Sequence, residues 1–412
     1  MKYTLLFFSL FLCLSGYTQQ VIKGIVLDKD DSTEIYLAHI YLKNQDNYGT
    51  VSNEKGAFVF YPPTGKSDDT LVISAISYKS IMLPLSQLSN QDTLTFLLEI
   101  DIISLNELVI SPYSSEDSIK VIVQRAFDRL KDNYANRLHY MSGFFREISI
   151  TEGKYSRLME TAINIQDKGI QSNLGNGIRI QVEELRKSDD MKAYHQGLMK
   201  MQESLGKEFK TNNVLLNLYR KNVIRNNEKY NTKSFLKNYL FEFKEMDIYN
   251  GEKIVLIAYQ SNFGKYERVI RETGVFYINL TDFAIVKVIS KHSTFGKENK
   301  VITTQFKKVN GRYYPTYIEE NGRDFSMPGV EQYEITTMMM NEIVTDRKRI
   351  DRIKKRFAES GEDDLYKKDM PYHPEFWKNY NILLLAPITK KIRTDLEQQR
   401  KLNIQFKTNS KN

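Results

Sequence analysis

The stretch that decides the fold runs from Asn47 to Pro63 and reads NYGTVSNEKGAFVFYPP. Thr50 and Ser52 fall on one face of an extended segment and Val51 on the other; Ala57 to Phe60 resume the alternation. Between them, Asn53 can bond its own backbone two residues on, and Gly56 can take the left-handed conformation that closes a hairpin. A phosphate-binding loop would instead place a helix N-terminus after its glycine, with amides aimed at the anion. An aromatic strand follows Gly56, so the segment is read as a hairpin turn in a sheet.

The alternation extends to both sides. VIKGIVLD, AHIYLK, TVSN, AFVFY, TLVISAI, KSIMLPL and TLTFLLE are short strands, separated by the turns DKDDST, NEKG, PPTGKSDD and LSNQD. Several short strands at regular spacing predict a β-sandwich. Gly24, Val26 and Asp28, followed by LAHI, GTVSNEKGAF, ISYKS and SLNELVISP, resemble the carboxypeptidase-like regulatory domain over about Val21 to Pro112. Tyr36 stands where that family often has proline. The resemblance implies a prealbumin-like β-sandwich that is not itself catalytic. It also implies an exported protein of the Bacteroidetes type, in which such modules precede outer-membrane barrels and other envelope domains.

The first residues, MKYTLLFFSLFLCLSGYTQQ, carry a basic Lys2, an apolar run from Leu5 to Leu14, and small residues Gly16 and Thr18 before Gln19. The run is too short to span a bilayer, and the pattern is that of a signal peptide over 1–18. Cys13 is the only cysteine and follows Leu12, where a lipoprotein signal would carry a small residue. Cleavage before Gln19 would leave a mature chain without cysteine, with no disulfide, no thiol catalysis and no transmembrane segment.

Beyond residue 112 the pattern changes. SSEDSIKVIVQRAFDRLKDNY predicts a helix, with Ile119, Ile122, Val123, Ala126, Phe127, Leu130 and Tyr134 as a core-facing stripe and Ser114 and Asp117 as a capping pair. YMSGFFREISITEGKYSRLMETAINIQ predicts a hairpin turning at Glu152-Gly153. A helical insertion is expected over about 189–226, with Met191, Tyr194, Leu198, Leu205 and Phe209 on its core face. From Tyr239 an antiparallel meander is predicted, turning at Asn250-Gly251, Thr281-Asp282 and Asn310-Gly311. Its strand pattern resembles the curved sheets of periplasmic lipoprotein-carrier folds. Lys287, Lys291, Lys307 and Lys308 would interrupt lipid-facing bands and argue against a closed transmembrane barrel.

The net charge of +8 is concentrated at the C-terminus: residues 346–412 carry 17 Lys and Arg against 10 Asp and Glu, whereas 19–345 carry 41 of each sign. DRKRIDRIKKRFAES is read as a basic helix with Ile350, Ile353 and Phe357 on a narrow stripe, and Trp377 follows downstream. Truncation at residue 346 is expected to leave a folded protein.

No catalytic constellation emerges. His39, His139, His195, His292 and His373 lack metal-ligand spacing; there is no H-E-x-x-H, no His-x-x-Glu and no G-x-S-x-G. Asp189-Asp190 and Asp363-Asp364 are paired acids in polar runs that suit a solvated surface. Asp31, Asp69, Asp92 and Asp117 each open a short Asp-Ser/Thr-apolar triplet of the kind O-glycosylated in Bacteroidetes.

The expected architecture is mainly β with α+β. It comprises a prealbumin-like sandwich over 19–112, an antiparallel meander domain with helical insertion over 113–345, and a basic helical tail over 346–412. The expected role is that of an exported non-enzymatic protein, binding or scaffolding at the periplasmic or outer-membrane surface, with no cofactor and no metal. Its partners would be an envelope protein, glycan or lipid surface, met through the second domain or the tail, and not nucleic acid. The alternative is a hydrolase acting on envelope glycan or peptide, with its site in the second domain.

Overall fold

The computed structural model describes residues 20–63, 68–88, 93–101, 115–172, 177–191, 213–225, 232–262, 270–324, 330–350, 352–385 and 389–409. The expected signal segment 1–18, Asp92, His195, the whole of SLNELVISP and most of the expected helical insertion lie outside them.

Seven strands form the sandwich: β1 (Ile22–Asp28), β2 (His39–Leu42), β3 (Gln45–Val51), β4 (Ala57–Phe60), β5 (Thr70–Ser74), β6 (Ile81–Pro84) and β7 (Leu94–Leu98). One sheet has the order β4-β1-β7, with β1 and β7 parallel; the other runs β3-β2-β5-β6. Alternation on β1 sends Ile22 and Val26 inward, where they meet Ile40, Phe58, Leu71 and Phe96. The opening hairpin closes as its residues dictate. Asn53 Oδ1 accepts from the amides of Lys55 and Ala57, both at 2.9 Å, and Gly56 has φ +67°. A Cβ on Gly56 would stand 2.2 Å from the Val26 carbonyl oxygen, so side-chain bulk is excluded as well as strained.

The second region begins with α1 (Glu116–Asp128) and α2 (Leu130–Asn133), followed by β8 (His139–Thr151), β9 (Lys154–Asp167) and β10 (Ile178–Lys187). Then come α3 (Val214–Arg220), α4 (Thr232–Asn238), β11 (Tyr239–Tyr249), β12 (Glu252–Ser261), β13 (Ile270–Asn279), β14 (Ile285–Thr294), β15 (Lys297–Val309), β16 (Arg312–Asp324) and β17 (Gln332–Val344). The strands form one curled antiparallel sheet in the order β11 to β17, then β8, β9 and β10. A single bridge, Tyr48 to Glu342, joins it to the sandwich. Glu152-Gly153, Asn250-Gly251 and Asn310-Gly311 hold positive φ at both positions, as two-residue hairpins require.

Four details differ from the sequence expectation. Ser115, one residue later than expected, caps α1 by accepting from the Ser118 amide at 3.2 Å. The β13–β14 connection is a wider loop at Leu280–Ala284 rather than a two-residue turn at Thr281-Asp282, with Phe283 at φ +61°. Phe295-Gly296 forms a further hairpin, with φ +49° and +76°. β10 was not anticipated; IRIQV pairs with β9 before a register shift between Val182 and Glu184.

The sheet is covered on both faces. On β8, Met141 and Phe145 face the helices, whereas Phe144, Arg146 and Ile148 face the sandwich and tail. The stripe of α1 packs as expected, its Phe127 meeting Phe235 of α4 and Phe276 of β13.

The basic segment after residue 345 is not the expected helix. Lys355–Phe357 make one 3-10 turn, and the rest lies along the edge of the sheet. Gln166 Oε1 accepts from the Ile353 amide at 3.0 Å, and the Glu359 amide donates to the Ile180 carbonyl at 2.8 Å. Ile353 is thereby buried while Phe357 stays exposed, so the three apolar residues do not act as one stripe. Further on, α5 (Pro374–Lys378), α6 (Thr389–Leu396) and α7 (Leu402–Thr408) dock on the face opposite α1. Arg146 and Arg186 both pair with the buried Glu160, with contacts of 2.6 Å; the Arg146 guanidinium also donates to the Leu383 carbonyl, and Arg186 lies 4.2 Å from the Trp377 ring centroid. The tail also reaches the opening hairpin, where Asn53 Nδ2 donates to the Leu384 carbonyl at 3.0 Å.

Gly56→Val is expected to destabilise the full chain by about 1–3 kcal/mol, since it combines positive φ with a backbone clash; an unchanged denaturant midpoint would refute this. The docked tail argues against the expectation that truncation at residue 346 is harmless. Trp377, Leu383, Ile392, Leu396 and Phe406 are buried, and at about 1.5–3 kcal/mol each they rival the whole stability of a domain. Residues 19–345 alone should aggregate or melt without cooperativity in calorimetry; a sharp transition near that of the full chain would show the tail to be dispensable.

Candidate functional site

On the helix-bearing face a cleft of about 380 Å³ remains between β15–β17, β8, β9, α3 and the segment at residues 364–366. Two cross-strand rows make its floor. Glu320, Thr336, Glu147 and Met159 stand opposite one another across β16, β17, β8 and β9. Gly322, Glu334, Ser149 and Arg157 form the adjacent row, and Lys300 pairs across from Gly322.

The roof is fixed from below. Asn213 caps α3 by accepting from the Leu216 amide at 3.0 Å, and its own amide donates to the Gly361 carbonyl at 2.9 Å. Tyr219 donates to Asp167 Oδ2 at 2.8 Å, the oxygen that also pairs with Arg225 at 2.9 Å. The buried Lys187 ammonium donates to the carbonyls of Tyr366 and Lys368, at 2.6 and 2.8 Å. These buried polar anchors hold α3 and the 364–366 segment over the sheet.

The chemistry of the cleft is ionic. Glu147 is buried against Arg157, which also reaches Asp190 at 3.4 Å and lies 5.0 Å from the Tyr366 ring centroid. Glu320 is shared by Lys221, in close contact, and Lys300, at 2.7 Å. Burial, with the neighbouring Lys300, presses the Lys221 ammonium down to about 7, against a smaller upward pull from Glu334. Arg323 forms part of the rim, donating to the Tyr333 hydroxyl at 2.6 Å. Met159, Val214, Leu218 and Leu365 add an apolar strip. Such a site can hold a ligand bearing both charges by exchanging internal ion pairs for ligand contacts.

The histidines lie elsewhere. His39 is buried where the sandwich meets the sheet, bridging the Tyr249 hydroxyl at 2.9 Å and Thr316 Oγ1 at 2.8 Å; burial pulls it down to about 3, so it stays neutral. His139 is buried on Tyr314, His292 lies on β14, and His373 is exposed and meets Glu184 at 2.6 Å. Among the described residues no group of three His, Cys, Asp or Glu converges as for a metal ion. No helix there is long and apolar enough to cross a membrane.

The acid pairs are not simply solvated. Asp189 holds Arg400 of the tail at 2.8 Å, Asp190 pairs with Arg157, and Asp364 lines the cleft. Glu147, Arg157, Lys221 and Glu320 were not singled out from the sequence. The available signal was charged residues recurring in strands otherwise patterned for burial. Asp69 of the triplets is buried and binds the Asn44 side chain at 3.2 Å, and Asp117 opens α1.

Comparison with curated proteins gives no match. Among solved structures, a DUF1329 family protein from Desulfovibrio piger is similar at 12% identity, covering 56% of this chain and 93% of its own, with a TM-score of 0.26. A LolA superfamily protein from Nitrosomonas europaea gives 10%, 58% and 97%, with a TM-score of 0.25. The MucA/MucB complex of Pseudomonas aeruginosa gives 8%, 55% and 98%, with a TM-score of 0.17. These scores are too low to carry a functional argument. The sandwich is a different matter: residues 22–110 match the family model of the CarboxypepD_reg-like domain, and this part of the chain is such a domain.

Proposed function

We propose that this chain is an exported, non-enzymatic protein of the cell envelope whose cleft binds a polar ligand carrying both charges. The sandwich and tail then serve as the scaffold that holds the sheet. The observation that carries this reading is the ionic pairing within the cleft. Glu147 is neutralised by Arg157, and Glu320 by Lys300, with Lys221 in contact beside it. Paired charges of this kind suit exchange with a ligand better than proton transfer, which needs a group free to change protonation. The apolar alternative, an acyl-chain cavity, has less support. Phe127, Phe235, Tyr259 and Phe276 pack together where the helices meet the sheet. The tail turns Trp377 and Phe406 inward, so an anionic envelope surface would be met by its exposed charges rather than by insertion.

The hydrolase reading keeps one supporting observation, the Lys221 ammonium brought near neutrality in a carboxylate-lined cleft. Soluble glycan-peptide fragments of the cell wall separate the two readings. Incubation with the full chain, followed by calorimetric titration and mass spectrometry, should show saturable binding with fragment masses unchanged. Turnover that Lys221→Met abolishes would establish the hydrolase instead, and absence of binding would remove the cleft as a ligand site.

Lys221 also supports a test that needs no ligand. Its pKa in the folded chain lies below the ordinary 10.5. Between about 7 and 10.5 the unfolded chain therefore holds a proton that the native chain has lost, and this group's contribution to stability rises with pH through that window. Binding of an anionic group at Lys221 runs the other way and weakens above about 7. Limiting acetic anhydride near neutral pH, with peptide mass mapping, should acetylate Lys221 ahead of the exposed Lys79, whose ammonium is held charged by Glu99. Equal or slower labelling of Lys221 would count against its low pKa.

A further inference from the structure

A second pocket, of about 260 Å³, lies where the sandwich meets the opposite face of the sheet. A single row of cross-strand partners builds its sheet wall: Glu245, Leu256, Tyr277, Lys287 and Gln305, taken in order across β11 to β15. The sandwich supplies the other wall, from Glu34 to Leu37 and from Ala75 to Tyr78. The two walls are tied at their edges. The Ser77 amide donates to the Ile248 carbonyl at 3.0 Å, and the hydroxyls of Tyr36 and Tyr317 meet at 2.7 Å.

The row contains charges and acceptors that the protein does not satisfy. Among the described residues Lys287 forms no ion pair; its ammonium meets only the Tyr277 ring, 5.3 Å from the centroid. Gln305 is 2% exposed, and its Nε2 is committed to the Leu37 carbonyl at 3.4 Å, which leaves Oε1 buried without a donor. Glu245, at the far end of the row, is exposed and forms no ion pair among the described residues. The remaining acids are engaged: Glu34 holds Lys55 at 3.2 Å, and Asp247 accepts from the Ser77 hydroxyl and the Ile248 amide. A half-buried cation without a counter-ion and a buried acceptor without a donor are each costly. Lys287 and Glu245 stand in one row of the pocket wall with Leu256 and Tyr277 between them, and suit opposite ends of one ligand.

The geometry points to a binding site for a small zwitterion in this junction pocket, with its carboxylate on Lys287 and its ammonium toward Glu245. At about 30 Å³ per water-sized group, the volume suits a free amino acid or a dipeptide. Burial, which already pulls the Lys287 ammonium down to about 8, would be offset by the incoming carboxylate. Because both walls contribute, the ligand would tighten the sandwich onto the sheet. The site is separate from the cleft beneath α3 and does not depend on that cleft being functional.

Glycylglycine is the probe, with acetate and ethylammonium as its two halves, each titrated into the full chain by calorimetry and by thermal shift. Glycylglycine should raise the melting temperature saturably, and each half alone should bind at least about tenfold more weakly. Lys287→Met should fold without loss of melting temperature, since it removes an unpaired, half-buried charge, and should lose the response. Glu245→Gln, at an exposed position, should weaken glycylglycine but leave acetate unchanged. The proposal is overturned if glycylglycine gives no saturable response, if Lys287→Met retains it, or if Lys221→Met abolishes it and so assigns the ligand to the cleft. Should Lys287→Met not fold, unchanged affinity of Glu245→Gln for glycylglycine would overturn it.

Discussion

Glu160, buried between Arg146 and Arg186, is the constraint on which the second region depends. The three residues are direct cross-strand neighbours on β8, β9 and β10, so the sheet register itself brings them together. Burial pushes the Glu160 carboxyl up, but Arg186 and Arg146 outweigh it and hold the group below its usual range. One carboxylate cannot neutralise two guanidiniums, and the surplus positive charge must be met by something polar or aromatic. The tail meets it, with the Leu383 carbonyl on Arg146 and the Trp377 and Phe406 rings against Arg186. Sheet and tail are therefore mutually conditional: without the tail the charges are stripped of their cover, and without the charges the tail loses its anchor.

The two ends of the helix-bearing face resolve the same packing problem differently. Toward β11–β14 the helical side is filled with aromatic rings, Phe235 stacking on Tyr239 with centroids 4.1 Å apart. Toward β16, β17 and β8 the fill gives out, and paired charges line what is left. A cavity lined with matched ion pairs tolerates water and exchange of partners, whereas an apolar void would only cost dispersion energy.

Local chemistry was legible in the sequence; pairings between distant segments were not. Asn53 and Gly56, the two Asn-Gly turns, and the stripe of α1 each declare themselves within a few residues, because a turn or an amphipathic helix is a short-range object. β10 escaped because its alternation breaks at Val182–Glu184, and the bulge is set by its partner β9. Arg349, Arg352, Arg356 and their neighbours read as a helix, yet the segment spends its amides and carbonyls on the sheet edge, as Ile353 does with Gln166 and Arg179. The cleft was the least legible element. Glu147 and Lys221 acquire meaning only through Arg157 and Glu320: the first pairing needs the register of the β8–β9 hairpin, and sequence distance hides the second.

The pairing of β8 with β17 bears on how the chain comes to be folded. The two strands align from Gln332 opposite Thr151 to Val344 opposite Tyr140, across a separation of nearly two hundred residues. Every strand from β9 to β16 must be threaded before that ladder can close, and the tail that covers Glu160 comes later still. Closure over such a span is entropically slow, and topology of this kind lengthens the time spent incompletely paired. During that time β8 and β9 present Phe144, Ile148 and Leu158 without cover, a hazard for an incompletely folded chain. The fold thus delivers the segment that covers Glu160 only after the sheet it stabilises, which makes protection of the nascent chain part of its biogenesis.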